Sequence, residues 1–513
     1  MDSSTRSPRI VFSLILVAFI GSAGANDVET EFERRLEAGA AAVDITPKLG
    51  VSLDGPISKN GPVTGIHDRL YARALILDDS TTRIAIVICN ASIIGQDVFD
   101  AAKAKVQEEI GLPPNRMLVA ATHTHAAPRS MHIATGTLDD EYHHFLAERI
   151  AEAVVAAAKN VAPAQVGCGS FDKPEFVRCR RFLCQPGSVG VNPFGESGEQ
   201  CKSVSGQSSA VIKPAGPVDP QLSILSVRHA DGSPLAVLAN FSVHYCGGYA
   251  RGQVSADYFG FFAATLQEKL QAGEGHPPFV GIMSNGTSGN TSSIERGGKS
   301  YPAFGWMEES GRILAEQTAK VLASIEHRSD VTLGMVESEI ELAVRRPDRE
   351  RLAWAENVLA HPQRSYPHRW TRVFAREAVF VSKYPATRKL KLQAIRIGDL
   401  GIAAIPCEVF AETGLAIKGQ SSLPATFTIE LANGYGGYLP PPEQHAVGGY
   451  ETWPARSSCL EINAEPKIRV EVLSLLKTVQ PLSVHKDTRS GSTGSERKAK
   501  GSTHELAPLT SPR

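Results

Sequence analysis

The chain has 513 residues, 42% of them hydrophobic and 21% charged, an ordinary globular composition rather than a disordered one. Fifty-three Lys and Arg balance 54 Asp and Glu, a formal charge of −1. That balance excludes a nucleic-acid surface built on bulk positive charge, and equally an acidic solvating protein.

In chain order, Arg6 and Arg9 precede an apolar run over 10–20 that ends in Gly21-Ser22-Ala23-Gly24-Ala25. A basic start, a short apolar stretch and small residues read as a secretory signal over 1–25, cleaved after Ala25 to leave an exported protein. The run is shorter than the roughly 20 apolar residues a membrane-spanning helix needs. Short apolar runs suited to buried strands follow at 72–77, 83–89, 117–121, 235–243, 279–283, 390–397, 401–405 and 425–431. Helices are predicted over 139–158, 257–270, 310–325 and 347–360, the first with acidic residues in its opening turn and Leu146, Ile150 and Val154 at helical spacing. The pattern predicts an α/β fold, a layered sandwich with mixed sheets flanked by helices, in one domain over 26–483; two sub-domains are the alternative. Residues 484–513, rich in Ser, Thr, Gly, Lys and Arg, read as a disordered tail. Cys168, Cys179, Cys184 and Cys201 crowd a Gly/Ser/Pro-rich region that one or two disulfides can pin in an exported chain. Cys89, Cys246, Cys407 and Cys459 lie in or beside apolar runs and read as buried thiols.

The sharpest local signal is Thr122-His123-Thr124-His125, directly after the strand at 117–121. Residues i and i+2 of an extended chain share a face, so both imidazoles project from one strand end, and imidazole is a common divalent-metal ligand. The same context recurs. His244 follows the run at 235–243, Glu408 follows 401–405, and Tyr435 and Tyr438 follow 425–431. Two His, one Glu and an open position is a familiar catalytic zinc set. Ser284 to Asn290, a Gly- and Asn-bearing loop after 279–283, offers Asn285, Thr287 and Ser288 to a substrate; it also holds two N-glycosylation sequons. Arg180 and Arg181 form a pair suited to a carbonyl, carboxylate or phosphate oxygen.

Taken in order, these pieces resemble the neutral/alkaline non-lysosomal ceramidases. The matching segments are Ala38 to Pro47, Gly65 to Ala74, Thr122 to Pro128, Phe241-Ser-Val-His244, Ser284 to Gly289, Ile405-Pro-Cys-Glu408, and Gly434 to Tyr438 continuing to Tyr450-Glu451. The resemblance implies one zinc ion held by His123, His244, Glu408 and Tyr438. His125 then stands near the attacking water, and Tyr450 and Arg180 face the scissile amide. It implies a zinc amidohydrolase of ceramide or a related N-acylated lipid, a hydrolase of sphingolipid metabolism whose partner is a lipid amide and not nucleic acid. Membrane contact then comes peripherally, through the substrate. Three departures stand out. The family's C-terminal immunoglobulin-like domain has no counterpart here, Cys179 replaces the Asn before the arginine, and Asn290 replaces an Asp; the last two bear on lipid specificity. Two rival functions remain at the level of sequence: a two-metal amidohydrolase on a barrel, which also opens with H-x-H, and an exported lipid- or carbohydrate-binding module without catalysis.

Overall fold

The computed structural model describes residues 35–53, 60–131, 139–204, 206–270, 275–293 and 299–480. The leader over 1–25 and the tail over 484–513 therefore lie outside the described residues. Eight strands form the larger sheet: β1 (Glu37–Asp44), β2 (Tyr71–Asp78), β3 (Arg83–Cys89), β4 (Met117–Ala121), β5 (Ala162–Asp172), β6 (Gln221–His229), β7 (Pro234–Phe241) and β8 (Val280–Asn285). Their spatial order is β8-β7-β6-β5-β1-β2-β3-β4. The two outermost pairs, β7 with β8 and β3 with β4, run parallel. A second sheet contains β9 (Leu333–Ala343), β10 (Thr387–Ile397), β11 (Leu400–Ile405) and β12 (Ala425–Glu430) in sequence order, with β11 and β12 parallel.

The sheets face each other across an apolar layer. Leu75, Ile86, Leu118, Leu225, Leu238 and Ile282 from the first sheet meet Met335, Ile395, Ile402, Phe427 and Ile429 from the second. Helices cover both outer faces. On the larger sheet, α1 (Gln96–Ile110) and α2 (Asp140–Lys159) cover β2 to β4, bringing Val98, Phe99, Leu146 and Ile150 onto Ala74, Val87 and Val119. Beside them, α3 (Asp257–Lys269) and α4 (Gly305–Leu322) cover β7 and β8 through Phe259, Phe262 and Leu314. Beyond the second sheet, α5 (Arg349–Ala360) and α6 (Thr371–Ser382) pack on each other, while α7 (Ala411–Gln420) and α8 (Ala464–Thr478) seat Ile417, Ile468 and Val472 on Leu392, Ala403 and Ile405. The arrangement is the layered mixed-sheet sandwich the patterning predicts. Every strand of β7, β11 and β12 is buried on both faces, which is why each reads as a continuous apolar run rather than an alternating one.

The differences from the sequence reading are local. The helix predicted at 310–325 begins earlier, at Gly305, and helices α1, α6, α7 and α8 are additional. All eight cysteines are free thiols, so no disulfide pins the Cys-rich segment. That segment is held instead by a small sheet in which Phe182–Cys184 pairs with Cys201–Lys202 and Val211–Pro214. Neither sheet closes into a barrel, so the barrel-borne rival loses its scaffold. No helix among the described residues is long and apolar enough to cross a membrane.

Candidate metal centre

The ends of β4, β7, β8, β11 and β12 converge at one rim of the sandwich. Backbone hydrogen bonds tie the segments that leave them. Ala121 donates to Leu431, Ala432 to Ile405, Asn433 to Val119, Gly286 to Phe241 and Gly289 to Val409. Asn433, in a left-handed conformation (φ 62°), joins the two sheets with its side chain. Its Oδ1 accepts from the buried Lys103 Nζ at 2.8 Å, and its Nδ2 donates to Gln393 Oε1 at 2.8 Å. Sequence-distant side chains therefore share one small volume.

His123 does not continue the strand as an i, i+2 argument assumes. Its φ is +68°, a left-handed conformation that non-glycine residues seldom adopt and that clusters at functional sites. Its N–H donates to Ala91 O and its ring Nδ1 sits 2.9 Å from Ser92 O. A carbonyl only accepts, so Nδ1 carries the proton and Nε2 presents a lone pair. His244 is fixed in the same way: its Nδ1 lies 3.2 Å from both the carbonyl and the hydroxyl of Ser288, which leaves Nε2 free. Ser288 Oγ in turn donates to Glu430 Oε1, while Glu430 Oε2 accepts the N–H groups of Val409 at 2.7 Å and Ser288 at 3.2 Å. Burial, and the nearby Glu408 charge, raise the Glu430 carboxyl well above its ordinary value despite these donors.

Glu408 is buried and placed as the third arm. The phenol of Tyr435 donates to its Oε1 at 2.7 Å. Its Oε2 stands 3.4 Å from His123 Nε2 and has no hydrogen-bond partner. Burial pushes this carboxyl up, but His123, Tyr435 and Arg180 outweigh it and hold the pKa below the usual value, so the group is ionised. His123, His125 and His244 offer ring nitrogens that all lie within 4.8 Å of one another. Buried lone pairs of His123 and His244 thus converge, and an orphaned carboxylate oxygen of Glu408 adjoins the His123 nitrogen. Left to themselves these acceptors repel and stay unsatisfied; a divalent cation resolves all three. The donor set fits a metal.

His125 completes the cluster from the open side. Its Nε2 is 3.3 Å from His123 Nε2, and its ring stacks on Tyr245 at 3.7 Å and 16°. Burial, with the charges of Arg129 and Arg180, holds its pKa well below 6.5, so it is neutral at neutral pH. Opposite, Arg180 Nη2 donates to Tyr438 Oη at 3.1 Å and to Gly289 O at 2.8 Å, and its Nε donates to Glu451 Oε1 at 2.9 Å. The other oxygen of Glu451 takes Arg181, which is fully buried and also reaches Gly448 O at 2.7 Å. The local sequence shows Arg180 and Arg181 as a pair and the resemblance selects Arg180; in the structure Arg180 reaches Tyr438, and Arg181 backs it through their shared Glu451. Tyr450 stacks edge-on to Tyr438 at 5.8 Å, and burial raises its phenol pKa, keeping it a donor.

Asn285, Thr287 and Ser288, assigned to substrate by the sequence reading, have side chains that are essentially inaccessible. Asn285 Nδ2 and His244 both address Ser288 Oγ, and Thr287 meets Ser242 at 3.4 Å. Their close packing turns this loop toward the His244 ring and the interior. A cavity of about 570 Å³ adjoins the centre, and it takes Thr291 and Ser292 from that region instead, together with Arg180, His244 and Tyr245. Sequence reasoning missed Tyr245, Glu430 and Asp257. The last accepts the backbone N–H groups of Cys246 and Gly247 and so fixes the loop after His244. A signal existed for Glu430 alone, a carboxylate closing an apolar strand.

Residues 36–301 match the family model for the neutral/alkaline non-lysosomal ceramidase N-terminal region. The chain belongs to this ceramidase family. Among curated relatives, the neutral ceramidase of Pseudomonas aeruginosa is 24% identical over 300 residues, 55% of this chain and 40% of that protein. Neutral ceramidase B of Dictyostelium discoideum is 25% identical over 324 residues, 58% of this chain and 42% of that protein. The matched stretch thus spans about two fifths of each of these longer relatives. In fold, the chain is similar to the crystal structure of the Pseudomonas aeruginosa neutral ceramidase, with a TM-score of 0.63 and 17% identity over 86% of this chain and 74% of that one. A solved ceramidase complexed with C2 gives 0.64 and 16%, over 86% and 75%.

Proposed function

We propose that this member of the ceramidase family is an exported, zinc-dependent amidohydrolase that cleaves the N-acyl amide of ceramide or a related N-acylated lipid. One observation carries the reading: two imidazoles with protonated Nδ1 and free Nε2 lie together, and one of them, His123, meets a buried, ionised Glu408 oxygen that has no hydrogen-bond partner. His123, His244 and Glu408 are the proposed ligands, with Tyr438 as the fourth. His125 shares the geometry of a ligand, yet Glu408 takes that place because its orphaned oxygen has no other use, whereas His125 is free to move protons. Zinc, when bound, supplies a water acidified to a pKa of about 7 and polarises a carbonyl.

The chain's own residues supply the rest. His125, neutral and poised beside His123, accepts the water proton at Nε2 and returns it to the departing amine nitrogen. The acyl carbon gains the hydroxyl as the C–N bond breaks, leaving a fatty acid and an amine. Arg180 and Tyr450 direct N–H and O–H groups toward the oxyanion that develops on the amide oxygen, an effect typically worth about 10²–10³ in rate per donor. Ser288 and Glu430 hold the tautomer of His244, as Ser92 holds that of His123. The proposed export rests on the leader-like sequence at 1–25. Metal analysis of the purified chain, followed by hydrolysis of a short-chain fluorescent ceramide with and without chelator, tests the scheme. One zinc per chain and chelator-sensitive cleavage support it. Full turnover in a metal-free protein refutes it, two metals per chain count against the single-zinc scheme, and zinc binding without cleavage of any amide favours a binding role.

A further inference from the structure

The small sheet lines the cavity beside His244 with Phe182, Val211, Ile212 and Pro214, and Lys213 stands among them; Ile212 is 54% exposed in a strand paired on one side only. The other feature is charge. Among the described residues lining this cavity there are three cations, Arg178, Arg180 and Lys213, and no carboxylate. Arg180 is neutralised from behind by Glu451. The other two are not. The Lys213 side chain makes no hydrogen bond or ion pair among the described residues. Arg178 spends Nη1 on the carbonyls of Pro174 and Val177, and Glu175, whose carboxyl it influences, is already paired with Lys173. The register shift between Val211 and Lys213 marks a bulge, the device by which a strand re-aims side chains near a site. Arg178, for its part, sits on the two-residue ribbon that pairs Cys179 with Thr291 and leads straight into Arg180.

We propose that the amide hydrolysed at this centre carries an anion on its amine half, a carboxylate, sulfonate or phosphate, received by Arg178 and Lys213 at the mouth of the cavity. The proposal rests on the amide-hydrolase reading and narrows it. An N-acyl lipid has a hydrocarbon acyl half that carries no charge, so an anion on the substrate falls on the amine half. Two cations without a counter-ion among the described residues raise the local concentration of an anionic ligand and favour it over a neutral analogue. Sphingosine-type amides are neutral at that end and leave both cations unanswered.

N-lauroylglycine and N-lauroylethanolamine share a chain and an amide and differ in this charge. With zinc-loaded full-length protein, kcat/KM for the glycine conjugate is expected to exceed that for the ethanolamide by about tenfold, and the ratio to shrink as salt rises toward 0.5 M. Lys213→Glu is expected to cut the ratio by about fivefold, and the Arg178→Glu/Lys213→Glu pair by more, the scale of one and two exposed charge pairs. Both residues are exposed, so folding is not at risk. A preference for the ethanolamide, or a ratio that ignores both variants, overturns the proposal. Should neither amide be cleaved, the amide-hydrolase reading fails separately, and calorimetric binding of the same two compounds still decides: tighter binding of N-lauroylglycine that the double variant abolishes sustains the anion site, and equal binding removes it.

Discussion

A single added methyl group tests whether Glu408 must sit where it does. Gly289 has no positive φ to protect, so its backbone tolerates alanine. Space does not: a Cβ there would lie 2.5 Å from the carbonyl oxygen of Glu408, 2.9 Å from its carbonyl carbon and 3.0 Å from the carbonyl oxygen of Val409. These are main-chain atoms of the strand that carries the carboxylate, and they cannot rotate away as a long side chain can. Ordinary contact therefore needs the two segments to part by about 1 Å, the displacement at which misplaced catalytic groups cost about 10²-fold in rate. The Gly289 N–H bond to Val409 and the Arg180 bond to Gly289 O are drawn into the same shift. Gly289→Ala is expected to lower kcat/KM about 100-fold and to weaken zinc, measured by chelator competition, by about 10-fold or more. Gly419→Ala is the control, since nothing lies within 4 Å of its Cβ and the residue is in a helix. Wild-type zinc affinity and turnover in a folded Gly289→Ala protein would show that the Glu408 position is not critical and would refute the ligand assignment.

Other expectations follow from the same geometry. His123→Ala and His244→Ala should each leave a protein without stoichiometric metal by elemental analysis and without amide cleavage. Tyr435→Phe removes a buried bond to a charged oxygen, worth about 1.5–3 kcal/mol, and should show as weaker zinc binding with the ultraviolet circular dichroism unchanged. His125 is the proposed base and its pKa is held well below 6.5, so its own protonation should cost activity only below that value, apart from any limb at about 7 set by the zinc-bound water; a His125→Gln protein that keeps the full rate would exclude His125 as the base. Arg181→Ala strands part of the Glu451 charge in the interior and should cost about 3–5 kcal/mol in chemical denaturation, with activity lost through Arg180.

What the sequence discloses about this centre depends on how each residue is carried. His123, His244 and Glu408 are polar residues that end apolar runs, and an abrupt change of that kind can be read without coordinates. The i, i+2 argument for His123 and His125 arrives at neighbouring imidazoles, yet the backbone does it through a left-handed turn, not an extended strand. Asn285, Thr287 and Ser288 have the composition of a substrate loop, and only packing reveals that they are turned inward. Tyr245 gave no periodic or compositional signal, because stacking on a ring 120 residues away leaves none. Helix α1 was obscured by its polar stretch, where Lys and Glu alternate with alanine around Val98, Phe99 and Val106, and α7 by two glycines and a nearly uniform face. The two sheets themselves were legible as buried strands; their pairing across 300 residues was not, since register is set by partners the local sequence does not name.

That long-range construction limits how the molecule can be divided. The family-matched stretch stops at residue 301, and Glu408, Glu430, Tyr435, Tyr438 and Tyr450 all come after it. A fragment ending there keeps three histidines and Tyr245 and loses Glu408, Glu430 and the three later tyrosines. Because contacts between such remote segments close late in folding, the centre should be among the last parts of the protein to mature and the first to come apart, so metal retention during gentle denaturation reports whether the two halves are still joined.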